Sequence, residues 1–488
     1  MLREAFFHKM DSVYAYSITK NKLLIKIRVK KNDIQTINVI YTDIFRQRHN
    51  KNELRKVQMK KIATDSLFDF FEALLFTEGM VSVFYFFELS DGKQTLLYGD
   101  NHFFKEIEGT VKTLPEPREM FSMPYISEKD IYTPPFWAED AIVYQVVPDR
   151  FKNGNSSINP ENTKPWNTKV DNSAFLGGDL YGIIDTLEYL SELGINTLYL
   201  TPIFKSTSSH KYDTSDYYSI DPHFGNSETL KELVKKAHQR GIRIILDAVF
   251  NHCGIDFFAF KDLVEKGDSS HYKTWFDVNK MPVKIKKTFP EYTCYAYYGT
   301  MPKLMTKDDK VAQYLIDVGN YWIKEADIDG WRLDVADQVD HHFWRKFRNA
   351  VKTIKPDVLL IGEVWKAASS YLMGDQFDSV MNYLFKFAID EFIAKKSITP
   401  EQFNNQLSII RSAYKLPILN ILWNLISSHD TDRFLYTASG DKRKLKLAVL
   451  IQMTYAGCPV IYYGDELGMS GQKIYNRMGM IWNKEKRD

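Results

Sequence analysis

A (β/α)8 TIM barrel with a subdomain inserted after its third strand, preceded by an all-β sandwich, is the fold class this sequence predicts. Three observations carry it. From Ala141 onward, short apolar strands alternate with amphipathic helical stretches, and eight such strands can be counted. Before residue 113 the apolar pattern has period two. Between the two regimes, Pro115, Pro117, Pro124, Pro134 and Pro135 mark a boundary.

Composition bounds the class. The 488 residues are 44% hydrophobic and 26% charged, which suits a globular chain of two or three domains. A net charge of +2 points to neither nucleic acid nor an anionic membrane. Aromatic residues reach 14%, enough for a packed core with rings to spare for stacking on sugars. Cys253, Cys294 and Cys458 are odd in number and widely spaced, with no metal spacing and no disulfide framework, which favours a reducing, cytoplasmic compartment. Residues 1–20 lack an apolar core and carry Arg3, Glu4 and Lys9, so no signal peptide is read, nor any run long enough to span a bilayer.

Taken in order, Ile25, Ile27 and Val29 alternate with Lys26, Arg28 and Lys30, as in a half-buried strand. Residues 81–89 and 95–98 flank Ser90-Asp91-Gly92-Lys93, a hairpin signal. The basic run 46–61 reads as a solvated face. The sandwich is placed at 1–113, a linker at 114–140 and the barrel at 141–466. Its strands are read at 142–147, 197–200, 242–246, 328–333, 358–361, 379–382, 422–427 and 460–463. Leu230, Leu233, Val234 and Ala237 give one helix an apolar face, closed by Gly241, and Val311, Leu315, Val318 and Trp322 give another. A doubly wound open sheet is the alternative, but no Gly-rich phosphate loop follows the first strand. The aromatic, poorly periodic interval 252–306 reads as the inserted subdomain.

Chemistry collects at the carboxyl ends of barrel strands. The stretch 330–337, GWRLDVAD, places Arg332 and Asp334 on one face of a strand and Trp331, Leu333 and Val335 on the other. Arg332 is expected to keep Asp334 ionised through charge and hydrogen bonding. An ordinary strand-end ion pair would give the same octapeptide. The other strand ends alter that balance. Strand three ends in Asp247-Ala248-Val249-Phe250-Asn251-His252, strand five in Glu363-Val364-Trp365 and strand seven in Ser428-His429-Asp430. Any one of these is more often structural; together they form a constellation.

These four segments resemble the conserved regions of the α-amylase superfamily of glycoside hydrolases, over residues 141 to 470. Met301-Pro302-Lys303-Leu304 is similar to the signature of the neopullulanase, cyclomaltodextrinase and maltogenic amylase branch, and the N-terminal sandwich resembles that branch's starch-binding module. The resemblance implies a retaining mechanism, in which the two reacting carboxyls stand about 5–5.5 Å apart. It assigns Asp334 as nucleophile, Glu363 as the general acid/base that must hold a proton, and Asp430 as a third carboxylate on the sugar's 2- and 3-hydroxyls. It places His252, His429, Arg332 and Trp365 among the substrate-binding residues, with Tyr212 as a ring beneath the sugar and Asp247 orienting the site. Asn153, Asn155, Asn159, Gly177 and Asp179 resemble a Ca²⁺ site, although Asn155 and Asn159 stand where acids are usual and Ile158 cannot coordinate. No organic cofactor is implied.

The pattern departs elsewhere. Met305 replaces a usual Asn, the loop after strand eight lacks its usual Asp across 472–476, and residues 467–488 read as a short tail without the eighth helix and C-terminal β-domain. The implied function is an intracellular hydrolase of α-1,4 bonds in cyclodextrins, maltooligosaccharides or pullulan, dimeric through its N-terminal module. An α-glucosidase or transglycosylase of the same superfamily and a catalytically inactive glucan-binding protein are the rival readings.

Overall fold

The computed structural model of the chain describes residues 1–47, 54–100, 102–105, 115–123, 125–169, 171 and 173–483. It contains two compact units. One comprises Met1–Thr133 with Ile398–Leu419, the other Pro134–Ser397 with Asn420–Asp488.

The first unit is built on two antiparallel sheets. Ala15–Thr19, Lys22–Lys30, Phe68–Phe76 and Lys60–Thr64 form one; the other runs Arg55–Gln58, Thr36–Thr42, Val83–Ser90, Thr95–Gly99 and His102–Lys105. Ile25, Ile27 and Val29 pack inward against Val39, Phe71, Tyr85 and Phe87, as the alternation requires. Asp91 accepts the backbone N–H groups of Lys93 and Gln94, and Gly92 turns with φ 87°, which closes the expected hairpin.

Two expectations need correction. Lys26, placed by alternation on a solvent face, is buried. Its ammonium donates to Tyr414 O at 3.1 Å and lies 3.6 Å from Glu72, because the segment that includes the helix Pro400–Ala413 covers that face. The stretch 114–140 is not purely a linker: Phe121–Met123 pairs with Val83–Ser90, Phe121 opposite Tyr85, so the unit continues to Thr133. The boundary at 113 and part of the basic run 46–61 lie outside the described residues.

The second unit is a closed barrel of eight parallel strands. They are β1 (Val143–Val146), β2 (Thr197–Leu200), β3 (Arg243–Ala248), β4 (Gly330–Leu333), β5 (Leu359–Gly362), β6 (Ser379–Asn382), β7 (Trp423–Leu425) and β8 (Cys458–Tyr462). Val143 opposite Val460 closes the ring. Val143, Tyr199, Ile245, Ile361, Met381, Trp423 and Val460 share one buried cluster. Helix α1 (Ser227–His238) buries Leu230, Leu233, Val234 and Ala237, is capped by Asn226 and is followed by Gly241 at φ 71°. Gly319 of α2 (Asp309–Ala326) lets α3 (His341–Ile354) approach closely, since a β-carbon there would strike the Phe347 ring. The interval after β3 holds the helix Phe258–Lys266, short turns and isolated bridges. Up to residue 483 the tail is ordered onto the barrel: Met480 N donates to Arg150 O at 2.8 Å and Trp482 Nε1 to Phe151 O at 2.5 Å. No helix among the described residues is long and apolar enough to cross a membrane.

Candidate active site

Parallel register sets the first part of the site. Asp247 on β3 stands opposite Arg332 on β4, and Leu333 stands opposite Gly362 on β5, so the ends of three neighbouring strands converge. The Arg332 side chain is fully buried and would be costly without counter-charges. It has three. Nη1 lies 2.7 Å from Asp334 Oδ1 and 3.1 Å from Asp247 Oδ2, and Nη2 lies 2.9 Å from Glu363 Oε2. Tyr199 and Tyr212 donate to Asp247 Oδ2 at 2.6 and 3.1 Å, which holds Asp247 off the cavity and in an orienting position.

One guanidinium cannot neutralise three carboxyls. Burial pushes the Asp334 carboxyl well above its usual range; Arg332 pulls it down, but Glu363 and Asp247 add to the rise. Arg332 opposes that rise through charge and a hydrogen bond, and its pull is divided among the three carboxyls. Asp334 Oδ2 has no hydrogen-bond partner, and Asp334 lines the cavity.

Glu363 is fixed from two sides. Val335, left-handed at φ 44°, turns its backbone N–H to Glu363 Oε2 at 3.0 Å, and Trp365 Nε1 donates to Oε1 at 3.0 Å. A β-branched residue in that conformation is strained, and strain of this kind gathers at working sites. The Trp365 ring lies on Tyr383, with centroids 4.1 Å apart and planes at 11°.

The β7 loop completes the constellation. Gln145 on β1 contacts His429 Nδ1 at 2.5 Å, and Tyr212 Oη lies 2.5 Å from His429 Nε2. The same Nε2 is 2.9 Å from Asp430 Oδ2, and Arg477 Nη2 donates to Asp430 Oδ1 at 3.1 Å. Burial alone would raise the Asp430 carboxyl; His429 and Arg477 outweigh it and hold it below the usual carboxylate range. His252, after β3, lies under Tyr295 with centroids 4.9 Å apart and planes at 15°. Burial, helped by Lys303, lowers its imidazole to about 3, so it is neutral, and its Nε2 has no partner.

Asp334, Glu363, Asp430, Tyr212, His252 and Trp365 therefore line a single cavity of about 450 Å³. Arg332 and His429 lie behind it. Several lining or supporting groups were not singled out from the sequence: Gln145, Tyr199, His210, Tyr295 and Arg477. Gln145 had a signal, being the lone amide in an apolar strand. Lys303, in the 301–304 fragment, reaches the Asn251 side chain and donates to Gln338 O at 2.7 Å, tying the β3 and β4 loops together.

The calcium-like set is arranged differently from a cation site. Asp179 accepts backbone N–H groups from Gly154, Asn155 and Gly182 at 2.7–3.1 Å. Asn155 Oδ1 accepts from Ser157, and Asn153 Nδ2 donates to Asn159 Oδ1 at 3.0 Å, with both amides packed on Gly177. The one carboxylate is already satisfied and the remaining ligands are neutral, so these residues do not fit a calcium ion, which takes six to eight oxygens. Among the described residues no group of three or more His, Cys, Asp or Glu is placed to hold a metal.

Comparison with known proteins agrees with this geometry. Residues 145–488 match the family described as the α-amylase catalytic domain, and residues 1–127 match the α-amylase N-terminal Ig-like domain. The chain is 47% identical over 497 residues to a cyclomaltodextrinase of Thermoanaerobacter pseudethanolicus, covering 100% of this chain and 84% of the relative. It is 44% identical over 492 residues to neopullulanase 2 of Thermoactinomyces vulgaris, covering 100% and 82%. A solved cyclomaltodextrinase superposes with a TM-score of 0.94 at 42% identity, covering 100% of this chain and 82% of that one. With its barrel, its sandwich and its strand-end carboxyls all accounted for, the chain belongs to the α-amylase family of glycoside hydrolases.

Proposed function

We propose that this protein hydrolyses α-1,4-glucosidic bonds of cyclodextrins, maltooligosaccharides or pullulan with retention of configuration. The observation that carries the reading is the shared guanidinium: Arg332 holds Asp334 and Glu363 side by side, with Asp334 Oδ2 left unpartnered at the cavity. The substrate class is supported by relatives named cyclomaltodextrinase and neopullulanase.

The residues divide the work as follows. Asp334 Oδ2 attacks the anomeric carbon as Glu363 passes a proton to the departing glycosidic oxygen. Loss of the Asp334 charge into the new ester leaves Arg332 to Glu363 and Asp247, which stabilises the Glu363 carboxylate for its second task. That task is to take a proton from water as the water attacks the glucosyl ester and releases Asp334. Asp430, held ionised by His429 and Arg477, accepts from sugar hydroxyls, while neutral His252 offers Nε2. Donors aimed at charge that develops in the transition state contribute most when they are fixed in advance. The His429–Gln145 and Asp430–Arg477 bonds provide that fixing.

Two further readings belong here. The protein forms a homodimer through its N-terminal unit; light scattering would then give twice the 57.0 kDa chain mass. It works in the cytoplasm, in keeping with three unpaired thiols, two of them buried. The activity itself is tested by reducing-sugar release from β-cyclodextrin, beside Asp334→Asn. Release by the native chain and none by the variant supports the reading. Binding of the ring without release by the native chain would instead make this an inactive glucan binder.

A further inference from the structure

Lys303 is the one charged residue of the segment 301–304, and the chemistry above gives it no task. Backbone pairing fixes where it starts. Cys253 N donates to Pro302 O at 3.0 Å and Leu304 N to Asn251 O at 3.0 Å, so 302–304 lies against the exit of β3. From there the Lys303 side chain crosses to the β4 side. Its ammonium donates to the Asn251 side-chain oxygen and, at 2.7 Å, to Gln338 O. An ammonium only donates, and both partners are oxygen acceptors. Burial lowers this ammonium, while the nearby Asp340 carboxylate opposes the lowering. A partly buried charge is costly, and here the cost is offset by oxygens on two different loops.

The far end of this tie leads to the acid/base. Gln338 closes a tight turn that begins at Val335, with Gln338 N donating to Val335 O at 3.0 Å. At the start of that turn, Val335 N donates to Glu363 Oε2 at 3.0 Å and Ala336 N to Glu363 O at 3.2 Å. Trp344 Nε1 holds the Ala336 carbonyl at 2.9 Å, and Tyr371 Oη reaches Asp337 O at 3.4 Å. Lys303 supplies the hold from the β3 side. Val335, Asp337 and Gln338 line the cavity, and Val335 is left-handed at φ 44°. A strained turn keeps its shape only where its surroundings impose it.

We propose that Lys303 is a positioning residue for the acid step. By clamping the turn 335–338 to the β3 exit, it keeps the Val335 N–H, and with it the Glu363 carboxyl, aimed at the departing glycosidic oxygen. The proposal rests on the α-glucan hydrolase reading and adds a residue to it. Lys303 acts through Gln338 and Val335, not on the substrate. Misplacing a reacting group by about 1 Å can cost about a hundredfold in rate.

Two substrates separate this role from plain support of the fold. A glycosidic oxygen needs a proton to depart, whereas fluoride departs with little help. The kcat/KM for α-maltosyl fluoride therefore reports attack by Asp334 with little call on Glu363 as acid. Lys303→Met keeps the length of the side chain and removes its charge. The expected result is a fall of about thirtyfold in kcat/KM for β-cyclodextrin, part of the roughly 10²–10⁴-fold that general acids supply. The value for α-maltosyl fluoride should change by less than about threefold, because the acid step contributes little there. Equal losses on both substrates, or none on either, overturn the proposal while the hydrolase reading stands. Should the methionine variant fail to fold, Lys303→Ala with added propylammonium decides. Recovery of β-cyclodextrin cleavage with the amine and not with propanol supports the tie; recovery with neither, or equally with both, overturns it. A native chain that cleaves neither substrate overturns the hydrolase reading and this proposal with it.

Discussion

The fully buried Arg332 guanidinium lies 2.7 Å from the Asp334 carboxylate, which is itself buried but for its edge on the cavity. That pair, shared with Glu363 and Asp247, is the centre around which the barrel's strand ends are arranged. Breaking a buried charge cluster by removing one partner typically costs about 3–5 kcal/mol. Arg332→Met should therefore lower stability by that order, since three carboxyls lose their counter-ion, and should abolish turnover. Arg332→Lys keeps the charge but not the fork, and is expected to cut kcat by about a thousandfold or more, as loss of charge-stabilising donors does elsewhere. Thermal melts and β-cyclodextrin kinetics on both variants check this.

Asp334→Asn should separate stability from function. Burial and its carboxyl neighbours already oppose the Asp334 charge, so a neutral isostere relieves repulsion. The variant is expected to melt no lower than the native chain and to release no reducing sugar. A strongly lowered midpoint would mean that Asp334 holds the fold together and would weaken its catalytic assignment.

Val335 gives a backbone test. Its left-handed turn aims one N–H at Glu363. Val335→Gly suits that conformation and keeps the donor, so activity should stay within about threefold of native. Val335→Pro removes the donor and fixes φ near −65°, and should cost about 3 kcal/mol or more with loss of turnover. Equal behaviour of the two variants would show that the N–H contributes nothing.

Acid should weaken the fold through buried histidines. Burial lowers His8 from 6.5 to about 4 and His252 from 6.5 to about 3. The unfolded chain binds these protons near pH 6.5 and the folded chain does not, so stability is fully present above 6.5. It falls as pH drops towards the folded values, by at most about 1.4 kcal/mol per pH unit for each histidine. Denaturant titrations at pH 7 and pH 4.5 should show the decline, and His8→Gln should flatten it.

The asparagine-lined set near Asp179 predicts metal independence. Chelation should leave both the melting midpoint and activity unchanged, because the Asn153–Asn159 bond and the Asp179 cap supply the local cohesion. A midpoint that drops with chelator and recovers with calcium would contradict this.

The sequence was most readable where local pattern decides structure. Apolar runs marked all eight barrel strands, and the polar residues ending β3, β4, β5 and the β7 loop marked the site. Motif reading singled out Asp334, Glu363 and Asp430, which line one cavity, because each is embedded in a distinctive segment. What escaped depends on closure over long separations. Gln145 and His429 lie 284 positions apart and meet only when the ring closes. Arg477 reaches Asp430 from a loop that read as a bare tail. Lys26 alternated as a surface residue should, and is buried because the segment 398–419 leaves the barrel sequence to cover it. No local periodicity encodes such a docking.

The central claim is that Asp334 forms a covalent glucosyl ester. Its most direct test is mass spectrometry of peptides from the Glu363→Gln variant after reaction with an activated 5-fluoro-α-glucosyl fluoride, which slows release of the intermediate. The account predicts one added fluoroglucosyl group, on the peptide that contains Asp334. An adduct on a different carboxyl, or no adduct together with initial release of the β-anomer by the native enzyme, would contradict it.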